Sequence, residues 1–312
     1  MAIHKDFPRS PHEILDPGVR WFPADEILRE SSYEKLIPPL VHQLRVQVKA
    51  WRDSEYDGVS ETSKTLLNWW FNNAHPITHA DGSITDFQYY FAQRESVETI
   101  IFLHEKVGVI GPDDMMRFQS DQNPISPQMF EESWRRFVIK MATGAGKTKV
   151  MSLVLAWAYF HKKYEENSDL ARNFLVIAPN IIVLDRLRSD FDGLKIFSED
   201  PVIPENGTDG KNWKSDFQLT LHIQDNVNVL NPNGNIFLTN IHRVYESKDT
   251  QPTADDENTL DYFLGEKPKG RTTDSSVDLG KIVRDIDELV VINDEAHHVH
   301  DSKLTWFKSI QD

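Results

Sequence analysis

Residues 141–148 read Met-Ala-Thr-Gly-Ala-Gly-Lys-Thr, and this stretch decides the fold that the sequence predicts. An apolar run at 137–139 precedes it, and a long apolar helical pattern follows it. A strand, a glycine-rich loop and a helix in this order are typical of a phosphate-binding loop, because glycines let backbone N–H groups surround an anion at a helix N-terminus. The strict pattern has a glycine where this chain has Met141.

The side chains of this loop predict a nucleotide site. Lys147 is expected to reach the terminal phosphates of ATP, and the Thr148 hydroxyl is expected to bind the Mg²⁺ ion that bridges them. An ordinary strand-to-helix turn is the alternative, but Gly-Lys-Thr after a strand favours nucleotide binding. The residues assigned to cofactor binding in the loop are Thr143, Gly144, Ala145, Gly146, Lys147 and Thr148.

A second polar stretch follows an apolar run far downstream. Residues 289–292 are apolar and too few for a helix, so they predict a strand buried on both faces, and Asn-Asp-Glu-Ala-His follows at 293–297. Asp294 is expected to hold Mg²⁺ through its water shell, and Glu295 to polarise the water that attacks the γ-phosphate. This places both acids at the strand end where open α/β sheets bind ligands. A surface acidic cap is the alternative.

The two stretches together resemble superfamily-2 helicases and translocases. Residues 294–297 resemble a DEAH box, and residues 142–148 resemble motif I. The chain is similar to the restriction subunits of type III restriction-modification enzymes and to related phage-defence helicases, in which Met at the first loop position is ordinary. The resemblance covers about residues 36–312 and implies a nucleic-acid-dependent ATPase that uses ATP and Mg²⁺. It also implies that His297 couples the nucleotide site to the nucleic-acid face.

Three further segments resemble motifs of the same family. Residues 87–95 resemble the segment that supplies the Q motif, in which a glutamine amide reads the adenine edge, and Gln93 is the candidate. The turn after the apolar run 174–178 resembles motif Ia, and the end of the run 235–240 resembles a later motif. A solvated helix face and a capped turn are the respective alternatives. The resulting candidates for nucleic-acid contact are Asn180, Arg186, Thr239 and Asn240.

The histidines at 297, 298 and 300, with Asp301, also permit a zinc interpretation. A closed zinc site needs four ligands, and without cysteine only histidine and carboxylate could supply them. The helicase interpretation is favoured.

Composition narrows the class of protein. The chain of 312 residues is long enough for about two domains. Its 34 Lys and Arg against 49 Asp and Glu give a net charge of −15, so nucleic-acid binding would depend on local patches. The absence of cysteine excludes disulfides and fits an intracellular protein. No run approaches the roughly 18 apolar residues of a membrane span, and no secretory signal is present. The sequence therefore predicts a cytoplasmic protein with no membrane partner.

The predicted fold class is α/β. Residues 131–312 are expected to form a RecA-like P-loop NTPase lobe with a mainly parallel sheet and a flexible insertion at about 247–277. Residues 1–130 are expected to form a mostly helical N-terminal region that includes the Q-motif-like segment. Strands are predicted at about 136–141, 174–178, 218–223, 235–239 and 288–293, helical patterns span 36–52, 66–71 and 91–107, and a helix is predicted over 147–163.

The resemblance implies an ATP-driven DNA translocase or helicase, acting as the restriction subunit of a type III-like restriction or phage-defence system. Double-stranded DNA and a methyltransferase or specificity subunit are the implied partners. A second RecA-like lobe with its arginine is not found before Asp312, so the chain is expected to be the N-terminal part of a longer protein and a weak ATPase alone. A nucleotide-gated protein-binding module without translocation, and an RNA helicase, are the open alternatives.

Overall fold

The computed structural model describes residues 13, 16–19, 25–32, 36–119, 125–126, 137–224, 229–240 and 286–294. The chain divides into two compact units, Met1–Lys147 and Thr148–Asp312. The domain boundary expected near residue 130 stays a prediction. The insertion expected at about 247–277 lies outside the described residues.

The first unit is mostly helical. Two short strands pair antiparallel as a hairpin, and a π-helical turn, Phe102–Lys106, continues the fourth helix. Its elements are α1 Glu26–Glu30, α2 Val41–Asp53, α3 Glu61–Phe71, β1 Pro76–Thr78, β2 Ile84–Asp86, α4 Phe91–Ile101 and α5 Pro112–Met115. The helical patterns read from the sequence at 36–52, 66–71 and 91–107 correspond to α2, α3 and α4 with its π-helical turn.

Aromatic side chains build the core of the first unit. Trp51 lies with its ring centroid 5.0 Å from that of Tyr56 and 5.4 Å from that of Phe102. Trp70 is only 2% exposed, and Leu66 and Leu67 beside it are fully buried. Offset and edge-to-face ring pairs of this kind add to the stabilisation that burial supplies. Trp70 of α3 is therefore part of the core of this unit.

A buried carboxylate joins the helices of this unit. Glu98 on α4 has no solvent exposure and accepts hydrogen bonds from Tyr56 Oη at 2.7 Å, Arg94 Nε at 2.8 Å and Arg52 Nε at 3.0 Å. A buried charge without partners would be very costly, and two guanidinium groups offset that cost here. Burial, and then the charge of Glu98, raises the pKa of Tyr56 well above its ordinary value. This Glu98 network fixes α4 against α2.

The second unit contains a four-stranded parallel sheet. Its elements are α6 Lys147–Tyr164, which begins at the last residue of the first unit, then β3 Asn173–Ala178, α7 Ile181–Phe191, α8 Trp213–Asp216, β4 Thr220–Ile223, β5 Asn235–Asn240 and β6 Val290–Asn293. The strand order is β4-β5-β3-β6. All three strand pairs are parallel. The parallel sheet, with α6 before β3 and two helices between β3 and β4, confirms the predicted α/β fold of a RecA-like P-loop lobe.

Burial follows position in the sheet. Every residue of β5 is buried, as are five of the six residues of β3, because these two central strands are covered on both faces. β6 is partly exposed, with Val291 at 40%, and within the described ranges it forms one edge of the sheet. On α6, buried residues run from Val150 to His161 with one exception. An apolar helix of this kind is a core element.

Four of the five predicted strands and the helix predicted at 147–163 are confirmed, with shifts of one or two residues at the ends. The strand expected at 136–141 is wrong over the described residues 137–141, which have no regular secondary structure. That run has only three consecutive apolar residues, and Val138 among them is 59% exposed. An extended segment gains its stability from ladder hydrogen bonds, and no described strand pairs with this one.

Candidate functional site

The loop before α6 has the backbone shape that the sequence predicts. The Ala145 N–H donates to the Ala142 carbonyl at 3.1 Å, which closes a tight turn. Gly144 and Gly146 have φ values of +81° and +83°, in the left-handed region that strongly favours glycine. The turn delivers the chain directly into α6, whose first-turn N–H groups lack partners within the helix. Such a turn and helix start suit an anion, because the N–H dipoles point toward it.

Lys147 and Thr148 are the first two residues of α6, and both are partly buried. The next residue, Lys149, forms an ion pair with Asp200 in the second unit. Sequence reasoning missed Asp200, because no local pattern links positions 51 residues apart. The ion pair with Asp200 holds the first turn of α6, which also contains Lys147 and Thr148.

The Gln93 side chain is buried and contacts the glycine-rich loop before α6. It is 2% exposed, its Oε1 accepts from the Tyr90 N–H at 3.0 Å, and its Nε2 donates to the Ala145 carbonyl at 3.0 Å. The side chain thus caps α4 and holds the glycine-rich loop at the same time. Adenine recognition by Gln93 stays a prediction. Tyr90 is 70% exposed, whereas the ring of Phe91 lies under the Arg52 guanidinium at 5.5 Å.

Asp294 follows β6 and extends its parallel ladder. The Asp294 N–H donates to the Ile177 carbonyl at 3.0 Å, and the residue is 3% exposed. Its Oδ2 accepts from Arg186 Nη2 at 3.2 Å. The sequence assigned these two side chains to different tasks, Mg²⁺ binding and nucleic-acid contact. Their ion pair was not foreseen, because they are 108 residues apart and meet only through the pairing of β6 with β3.

The strand ends align at one edge of the sheet. In the register of the sheet, Ala178 of β3 pairs with Asn240 of β5, and Ile177 pairs with Asn293 of β6. Ala178, the last residue of β3, and Asn293, the last residue of β6, therefore lie at the same carboxyl edge of the sheet as Asn240 at the end of β5. Open parallel sheets bind their ligands at this edge.

The other candidates for nucleic-acid contact have local partners in the structure. The Asn180 Oδ1 accepts from the Val183 N–H at 3.0 Å and caps α7. Thr239 is fully buried and its hydroxyl donates to the Asn240 carbonyl at 3.3 Å, and Asn240 is 8% exposed. Arg186 is the exposed member of the set, with 57% of its side chain accessible. Nucleic-acid contact by any of the four stays a prediction.

A family model described as the type III restriction enzyme res subunit matches residues 87–312. The chain belongs to this family. The match covers more than two thirds of the chain and includes the glycine-rich loop, α6 and all four strands of the parallel sheet. The comparisons with curated proteins and with solved structures give no significant match.

Membership in the res subunit family confirms the coarse functional prediction. The family is one of helicase-like, ATP-driven motors, and its RecA-like domains bind ATP. The parallel sheet and the loop before α6 agree with such a domain. Within the part of the chain that the structure describes, no helix is long and apolar enough to cross a membrane.

Two predicted site residues, Glu295 and His297, lie outside the described residues, as does the histidine cluster considered for zinc. Among the residues that are described, no group of three or more histidines and acids could hold a metal. The oxygen donors Asp294 and Thr148 do fit Mg²⁺, because this ion prefers one or two protein oxygens together with phosphates and waters. Asp294 is buried at the carboxyl edge of the sheet, as such a ligand would be.

Proposed function

We propose that the chain is the ATP-binding lobe of a DNA translocase or helicase, within the restriction subunit of a type III-like restriction or phage-defence system. The observation that carries the proposal is the turn closed by Ala145 and Ala142, with two glycines at positive φ, directly before the N-terminus of α6. Membership in the res subunit family supports the motor class.

In this proposal the chain binds a nucleotide with backbone and side chains together. The backbone N–H groups of residues 143–148, apart from the Ala145 N–H that closes the turn, hold the phosphates, and the Lys147 ammonium neutralises the terminal ones. Thr148 and Asp294 hold Mg²⁺, which neutralises charge that develops on the phosphates. Glu295 accepts a proton from the attacking water, and His297 links this site to the nucleic-acid face. Gln93 restrains the loop through the Ala145 carbonyl.

The proposed polymer substrate is double-stranded DNA. A chain with a net charge of −15 must bind DNA through a local surface, because long-range attraction is absent. The proposed phosphate contacts come from two elements near the carboxyl edge of the sheet. Thr239 and Asn240 end β5, whereas Asn180 caps α7 and Arg186 lies on that helix. Phosphate contacts of this type position a duplex without reading its sequence. A methyltransferase or specificity subunit and a second RecA-like lobe are the proposed protein partners.

The test is a calorimetric titration of ATP with Mg²⁺ into the chain and two lysine variants. Lys147→Ala is expected to lower the affinity for ATP about tenfold or more, because a charged contact to phosphate is lost. Lys140→Ala is the matched control, since it removes the same charge from an exposed position seven residues earlier. Equal affinities of the two variants would contradict the proposed nucleotide site.

A further inference from the structure

The contact between Arg186 and Asp294 joins the two proposed sites of the lobe. Arg186 lies on α7, which starts right after β3, and Asp294 ends the ladder of β6 beside β3. The atoms Nη2 and Oδ2 are 3.2 Å apart. The carboxylate is 2% exposed, whereas the arginine side chain is 57% exposed. The pair thus has one fixed, buried member and one member that is mostly in water.

Two cations, the Arg186 guanidinium and the proposed Mg²⁺ ion, would interact with the Asp294 carboxylate. A buried carboxylate needs partners for its lone pairs, and the Arg186 guanidinium supplies one of them. The proposed function requires the same carboxylate to accept hydrogen bonds from the water shell of Mg²⁺. A guanidinium within 3.2 Å of Oδ2 repels a divalent cation and occupies a lone pair that the water shell would use. Arg186 and the hydrated Mg²⁺ ion therefore compete for the Asp294 carboxylate.

The Arg186 guanidinium is also exposed enough to bind a phosphate group from solvent. Its guanidinium is a planar fork that pairs with two phosphate oxygens at once. Asn180, which caps the start of α7, is a second candidate for nucleic-acid contact on the same helix. Asp190, one turn further along α7, gives Arg186 another acidic neighbour. Burial raises the pKa of Asp190, and the charge of Arg186 opposes that rise. The guanidinium is therefore close to two carboxylates yet accessible from outside.

We propose that Arg186 is a positioning residue that couples nucleic-acid binding to Mg²⁺ binding. Without nucleic acid, its guanidinium holds Asp294 and weakens Mg²⁺ binding to the nucleotide complex. A nucleic-acid phosphate that binds Arg186 releases the Asp294 carboxylate to the water shell of the metal. By thermodynamic reciprocity, Mg²⁺ with nucleotide also strengthens binding of nucleic acid. This inference rests on the proposed function, since it needs both sites.

The test measures the affinity for Mg²⁺ of the ADP-bound chain by calorimetry, with and without a short DNA duplex. Arg186→Gln is expected to raise the affinity for Mg²⁺ about fivefold without DNA, at the low end of allosteric couplings because the pair is partly solvated. Duplex DNA is expected to raise the affinity of the unchanged chain by a similar factor and to leave that of Arg186→Gln unchanged. Arg186→Lys keeps the charge and is expected to retain most of the wild-type behaviour.

Arg188→Gln is the matched control, because Arg188 is an exposed arginine on the same helix and makes no ion pair with any residue that the structure describes. It should leave both affinities for Mg²⁺ unchanged. Since Arg186 is largely exposed, its replacement should not prevent folding, which a thermal melt of each variant checks.

Two results would overturn the coupling role: an Arg186→Gln variant whose affinity for Mg²⁺ equals or falls below that of the unchanged chain, or DNA that leaves the affinity of the unchanged chain the same. Both are distinct from failure of the proposed function. If the proposed function were wrong, the unchanged chain would bind no ADP, with or without Mg²⁺.

Discussion

Two buried carboxylates of this protein, Glu98 and Asp294, differ in the exposure of their arginine partners. Glu98 has no exposure, and its partners Arg52 and Arg94 are only 14% and 23% exposed. Asp294 is 2% exposed, but its partner Arg186 is 57% exposed. A carboxylate whose arginine partners are largely buried has a structural role, because neither partner can leave without a large desolvation cost. A carboxylate paired with an arginine mostly in water can exchange that partner for another cation.

The largest expected effect is on the Glu98 network. Glu98→Gln should lower the free energy of unfolding by about 3 kcal/mol, because two largely buried guanidinium groups lose their counter-charge. Glu55→Gln is the control, since Glu55 is exposed in the same unit. Urea unfolding followed by tryptophan fluorescence measures the difference. A loss equal to that of Glu55→Gln would show that the network is no stronger than a surface ion pair.

A smaller effect is expected at Gln93, a buried neutral group on the same helix as Glu98. Gln93→Ala should cost about 1–2 kcal/mol, because α4 loses its cap and the Ala145 carbonyl loses its donor. Gln93→Glu keeps the oxygen that caps the helix and loses the donor to Ala145.

Both Gln93 variants test the restraint on the loop. Hydrogen exchange at the Ala145 amide should speed up in both, and the unfolding free energy should also fall in Gln93→Glu, because a buried carboxylate would face the Ala145 carbonyl without a donor. If exchange at Ala145 matched that of the unchanged chain in both variants, the side chain would not restrain the loop.

The smallest effect on stability is expected at Asp294, the other half of the comparison. Asp294→Asn should change the unfolding free energy by at most about 1 kcal/mol, because its ion pair with the exposed Arg186 is weak. The same variant should bind ATP about tenfold less tightly when Mg²⁺ is present, and equally well without it. Asp185→Asn, exposed on α7, is the control for both measurements. A stability loss as large as that of Glu98→Gln would remove the contrast between the two carboxylates.

Much of the parallel sheet was predictable because its signals are local. The apolar runs that became β3, β5 and β6 are each followed by polar residues, and the long apolar pattern after Lys147 became α6. The run at 137–139 gave the same kind of signal and no strand. A local pattern reports how much apolar surface a segment can bury, whereas a strand also needs a neighbour with which to pair.

In the candidate site, too, the local features were predictable from the sequence and the long-range contacts were not. The glycines at 144 and 146 were predicted because the left-handed backbone they adopt is a property of the residue itself. The hydrogen bond from Gln93 to Ala145 was not predicted, although both residues were singled out, because it spans 52 positions. The tertiary contact gives Gln93 a role in holding the loop.

By itself, the sequence determined the kind of protein: the glycine-rich loop, the Asn-Asp-Glu-Ala-His stretch and the spacing of apolar runs are sufficient for an α/β fold of the res subunit family. Only the tertiary structure decided how the charges are paired. Arg52 and Arg94 were not distinguishable in sequence from Arg186. Yet the first two are largely buried against Glu98, and Arg186 is mostly exposed to water beside Asp294. The strength of an ion pair depends on the solvation of its members, and solvation is set by packing between segments far apart in the chain.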